Sequence, residues 1–78
     1  MSDKLRQNDR EWTKQMAKTL LLLREMSGMN IRDYAKRLDI SHATLSRIEN
    51  EQPCDVDTLI KIHIATGVTL HTLLGIKK

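Results

Sequence analysis

The segment NIRDYAKRLDISHATLSRIEN, residues 30–50, decides how this chain folds. Asn30 and Ser41 each precede a run that suits a helix. Residues of this kind favour that position because their side-chain oxygens accept backbone N–H groups that a first turn leaves unpaired. The spacing predicts helices over 31–38 and 42–50, with Ile31, Tyr34, Ala35 and Leu38 turned inward on the first and Leu45 and Ile48 on the second. Only Asp39 and Ile40 lie between the first helix and the Ser41 cap. Helices joined by so short a connection cannot lie antiparallel and meet at a steep angle, the geometry of a helix-turn-helix.

Upstream, Asn8 followed three residues later by Glu11 has the spacing of a capping box, which predicts a first helix from Asp9. Trp12, Met16, Leu20, Leu23 and Met26 recur along one face of it, and Gly28 stops it in a left-handed turn. Residues 1–8 are polar and read as a flexible arm. Downstream, residues 51–54 with Pro53 form a loop, Asp55 caps a fourth helix ending at Thr66 and Gly67, and Thr69 caps a short fifth over 70–74 before Gly75. The expectation is an all-α, compact five-helix domain over 9–75, its helix-turn-helix at about 31–50, with a short tail at 76–78.

Composition bounds the function. Apolar residues make up 40% of the 78 residues and aromatics only 3%, so the core is built from Leu, Ile, Val, Met and Ala. A net charge of +3 fits a nucleic-acid partner without requiring one. One cysteine, Cys54, excludes an internal disulfide and suits a reducing cytosol. No apolar run approaches the roughly 20 residues of a membrane span, and no secretion signal opens the chain, so the expectation is a cytoplasmic protein with no membrane partner.

The stretch GMNIRDYAKRLDISHATLSRIEN, followed by DTLIKI and then TGVTLHTLLG, resembles the lambda repressor-like helix-turn-helix family, also called Cro or XRE type. The match runs from about Leu20 to Gly75 and rests on coincident features: Ala35 at the closest helix approach, Ile40 and Ser41 at the turn, the Ser46 to Asn50 ending, and Thr58, Leu59 and Gly67 beyond. The resemblance implies that the helix from His42 lies in the major groove of an operator while the helix from Ile31 crosses the DNA backbone. It also implies phosphate contacts at Asn30 and Asn50, which serve equally well as plain caps. Arg24 and Glu49 match a family pair that forms an internal salt bridge, which removes Arg24 from the DNA-contact set.

The residues lead to the same face independently. A helix reads bases from its N-terminal end, where the dipole and free amides face phosphate. That end carries Ser41, His42, Ala43 and Thr44, with Arg47 one turn later. Arg47 can donate two bonds to guanine O6 and N7, His42 can bond a purine edge, and the Ala43 methyl can meet a thymine methyl. The sequence also departs from the family. Ile31 stands where many members place a phosphate-binding Gln, Asp39 replaces the usual turn Gly, and Glu51, Asp55 and Asp57 occupy a region often rich in Lys or Arg. Affinity should therefore lean on Arg32, Lys36 and the arm.

No pair among His42, His63 and His71 has the spacing of two metal ligands on one helical face, so no metal or other cofactor is expected. His63 reads as a core histidine. Cys54, in a loop taken as exposed, reads as a bystander thiol without a resolving cysteine or activating base nearby. No nucleophile and base constellation supports an enzyme. Val56, Ile60 and Ile64 make an apolar stripe which, with Leu70, Leu74 and Ile76, forms either a two-fold dimer face or a cover for the core. The sequence thus predicts a sequence-specific transcriptional regulator, a homodimeric repressor on a palindromic double-stranded operator. The alternative is an antitoxin or adaptor acting on a protein partner, such as a toxin or another regulator.

Overall fold

Each of the four helices after the first opens on a side-chain oxygen that accepts the N–H three residues on. Asn30 Oδ1 takes it from Asp33 at 2.9 Å, Ser41 Oγ from Thr44 at 3.1 Å, Asp55 Oδ1 from Thr58 at 2.9 Å and Thr69 Oγ1 from Thr72 at 3.2 Å. These local bonds, each worth about 1 kcal/mol, set the element starts in the computed structural model, which describes residues 2–75, with side chains from Glu11 onward. The elements are α1 (Ser2–Ser27), α2 (Ile31–Leu38), α3 (His42–Glu49), α4 (Val56–Thr66) and α5 (Leu70–Leu74), with no strand among the described residues.

Helix α1 begins at Ser2, so the Asn8 capping box does not start a helix and the expected arm gives way to helical backbone. No Gly or Pro interrupts residues 2–8, and Lys4, Leu5, Arg6 and Gln7 are good helix formers. The buried face of α1 is centred on Thr13, Met16, Ala17 and Leu20. Met26, expected on that face, is 75% exposed. At about 100° per residue it has rotated more than a quarter turn from the line through Met16 and Leu20.

The core joins Met16 and Leu20 of α1 to Tyr34, Ala35 and Leu38 of α2, Leu45 and Ile48 of α3, Ile62 of α4 and Leu73 of α5. Helix α1 packs on α3 and α5, and α2 packs on α3 and α4. Ala35, only 1% exposed, lets α2 and α3 approach closely. Trp12 is partly buried against the same core. Cys54 is half-buried rather than exposed: its Sγ lies 4.0 Å from Met16 Sδ. Burial, with help from the Asp55 charge, pushes its thiol up to about 11, so little thiolate exists at neutral pH. His63 is also half-buried and ties α4 to the next turn, its Nδ1 donating to the Val68 carbonyl at 2.7 Å. Gly75 closes α5 at φ +70°, where an added Cβ would lie 2.7 Å from Gln15 Cγ of α1. Among the described residues no helix is long and apolar enough to cross a membrane.

Asp39 ends α2 in the left-handed region at φ 62°, ψ 40°. Its one ion pair among the described residues, with Lys61 at 4.0 Å, is solvent-exposed on both sides and contributes little. Asp39→Gly should therefore relieve backbone strain at little other cost, stabilising by about 0.5 kcal/mol net of the added freedom of the unfolded chain and raising the melting temperature by about 2–4 °C. A lower melting temperature in calorimetry would show that the Asp39 side chain matters to the turn.

Candidate nucleic-acid interface

Helix α3 presents its N-terminal end outward. His42, Ala43 and Arg47 are exposed and Thr44 is half-buried. Ser41 is exposed but engaged twice: its Oγ accepts the Thr44 N–H, and its hydroxyl donates to Thr44 Oγ1 at 2.8 Å. The two hydroxyls hold each other in the cap. This leaves His42 and Arg47, neither tied to another side chain by an ion pair among the described residues, as the groups most available to a ligand.

The α2 side contributes cations and amides. Arg32 and Lys36 are exposed and sit four residues apart, on one face. Asn30 spends its side-chain oxygen on the cap, which leaves both amide hydrogens of Nδ2 outside that bond. Asn50 differs: its Nδ2 donates to the Ser46 carbonyl at 2.8 Å, so one of its two amide hydrogens serves α3 itself. Asn30 is the better placed of the two to donate to an anion. On the acidic side, Glu51 sits in the left-handed region at φ 67°. The Asp55 carboxyl is held below its usual range by hydrogen bonds from Thr58.

Arg24 and Glu49 link α1 to the end of α3. Arg24 Nε donates to Glu49 Oε2 at 2.7 Å and Nη2 to Oε1 at 3.1 Å, a two-pronged contact, while Nη1 reaches the Met29 carbonyl at 3.4 Å. The Glu49 side chain is 8% exposed and that of Arg24 23%. The hydrogen bond to Glu49 holds the guanidinium pKa above its ordinary value. Glu49 ends α3, where the helix dipole disfavours a carboxylate, whereas Arg24 lies in the last turn of α1, where a cation is favoured.

Sequence reasoning placed Ser41 and Thr44 among direct readers without their mutual bond, although the S-x-x-T spacing was the signal for it. The contact of Asn50 with Ser46 was missed as well. The helix-turn-helix family matches residues 20–73, from the second half of α1 to α5. No curated protein and no solved structure matches the chain.

The two halves of the ion pair should not be equal. Arg24→Met leaves a nearly buried carboxylate at the unfavourable end of α3 and should cost about 3 kcal/mol, against about 1–2 kcal/mol for Glu49→Gln, whose orphaned cation is partly hydrated. The double variant should recover much of the larger loss. Urea unfolding of the three variants checks this, and equal or additive losses would count against a coupled pair.

Proposed function

The chain belongs to the lambda repressor-type helix-turn-helix family, a DNA-binding regulatory family, and from that premise we propose that it is a sequence-specific repressor of transcription that reads an operator with α3. The observation that carries this reading is the outward N-terminal end of α3, with His42, Ala43 and Arg47 exposed beside the Arg32 and Lys36 face of α2. Arg47 and His42 read base edges, Ala43 meets a thymine methyl, and Ser41 and Thr44 contribute what their cap leaves over. Asn30, Arg32, Lys36 and, with one amide hydrogen, Asn50 hold phosphate. The protein acts in the cytoplasm, by occupancy rather than catalysis.

A two-fold dimer extends this reading. One α3 reads only a few base pairs, and two copies on a symmetry axis read half-sites about 34 Å apart. The face that suits the partner copy carries Val56 at 67%, Ile60 at 43%, Ile64 at 75% and Leu70 at 38% exposure. Leu74 is half-buried and lines a hollow with Lys14, Gln15 and Lys18 of α1, and Ile76 lies outside the described residues. The same apolar face, with the acidic Glu51, Asp55 and Asp57 near α4, favours a second reading in which α4 and α5 hold a protein partner such as a toxin. Salt separates the two, because phosphate contact makes affinity fall steeply with ionic strength.

Selection of bound duplexes from a random pool supplies the operator for two tests. Arg47→Ala should lose about 1–3 kcal/mol on the best site and relax preference at one base pair. Arg32→Ala should weaken all sequences alike and flatten the salt slope by about one unit. A uniform loss for Arg47→Ala, or an unchanged slope for Arg32→Ala, removes that residue from its role.

The dimer is tested by sedimentation. Ile64→Glu should give a monomer of unchanged helicity with weakened full-site binding. Sedimentation of the unaltered protein as a monomer at about tens of micromolar, with half-sites bound as tightly as full sites, would sink the two-fold reading.

A further inference from the structure

Each of the five helices is followed within two residues by a backbone position in the left-handed region: 28, 39, 51, 67 and 75. Glycine fills three of them, and the two that bracket α3 are Asp39 and Glu51. Asp visits this region more readily than most residues because its short side chain can bond locally, an advantage that the longer Glu lacks. Glu51 is nevertheless fixed there by two backbone bonds. Its N–H donates to the Ile48 carbonyl at 3.0 Å and the Gln52 N–H to the Arg47 carbonyl at 2.9 Å, the paired bonds of a helix end whose left-handed residue is ordinarily Gly. The carboxylate does nothing inside the fold to offset that strain. It is exposed and takes part in no hydrogen bond or ion pair among the described residues, although Lys14 and Lys18 of α1 line the same hollow of about 450 Å³.

We propose that Glu51 limits the affinity of the DNA interface, its carboxylate standing beside Asn50 and opposing the phosphates that Asn30, Arg32, Lys36 and Asn50 attract. The inference rests on the operator-binding reading above, in which Asn50 holds phosphate. Glu51 follows Asn50 directly in the chain, with its Cα about 3.8 Å away, against a screening length of about 8 Å at physiological salt. Its charge is therefore felt by a phosphate that Asn50 holds. The neighbouring carboxylates are committed elsewhere: Glu49 is held by Arg24, and Asp55 caps α4. That leaves Glu51 as the uncommitted carboxylate at the end of α3. Phosphate contacts are indifferent to sequence. A charge that opposes them weakens binding to every duplex, so that only a duplex which also satisfies Arg47 and His42 is held firmly.

The test uses the full chain, the best duplex recovered from the random pool and a random-sequence duplex of equal length, with affinities measured by fluorescence anisotropy across a salt series. Glu51→Gln removes the charge and keeps the left-handed strain. Both duplexes should then bind about two- to fivefold more tightly at an unchanged melting temperature, with a gain that shrinks as salt rises. Glu51→Lys should tighten both about tenfold or more. Glu51→Gly should match Glu51→Gln in affinity and also raise the melting temperature, because it relieves the strain. The proposal is overturned if Glu51→Gln leaves both affinities unchanged or if only Glu51→Gly tightens binding. It is equally overturned if Glu51→Gln lowers melting temperature and affinity together, which would assign the carboxylate to the fold through Lys14 and Lys18. If the unaltered protein binds neither duplex in a salt-dependent way, the operator-binding reading falls and this inference with it, whereas binding that is present but indifferent to residue 51 overturns this inference alone.

Discussion

Glu49 ends α3 with a carboxylate that both burial and the helix dipole disfavour, and Arg24 is the group that makes it tolerable. The bond is two-pronged, so it fixes direction as well as distance, and it joins the longest helix to the one that carries the exposed His42 and Arg47. Helix α3 also packs on α1 and on α2, the latter through the close approach at Ala35 and a connection of only three residues, Asp39 to Ser41. It is therefore constrained at its start by a turn and at its end by an ion pair. The outward angle of His42 and Arg47 follows from those two anchors, not from anything at the exposed face itself.

Polar side chains divide between those spent on the backbone and those left free at the surface, and the division limits what each can do. Ser41, Asn50 and Asp55 spend hydrogen-bonding capacity on the backbone within or beside their own helices. Asn30 spends only its oxygen and keeps its donors. A residue that caps a helix thus has less left for any ligand, and the groups with most left to offer are those within the helices: His42 and Arg47 on α3, Arg32 and Lys36 on α2.

What was legible in the sequence was local. The caps at Asn30, Ser41, Asp55 and Thr69 join residues three apart, and the left-handed Asp39 follows from the turn it occupies, so one stretch of chain contains the whole cause. The start of α1 was misread because a capping signal at Asn8 states where a helix can begin, not that the preceding residues refuse one. Met26 was misassigned because spacing of three or four tolerates a drift that a real face does not. Cys54 was placed in solvent by its loop, yet its neighbour Met16 lies 38 positions away, and no periodicity reports such a contact. The Arg24 and Glu49 pair, 25 positions apart, was reached only through a family resemblance.

The chain holds one tryptophan, one tyrosine and no phenylalanine, and Trp12 rests partly buried against the core from α1 alone. An intrinsic fluorophore so placed reports how firmly α1 is seated, while circular dichroism reports the helices as a whole. The molecule carries, without labelling, two optical probes of different scope. Whether their transitions coincide is the established measure of all-or-none unfolding, and in this fold it asks specifically whether α1 leaves before the pair of helices that it braces.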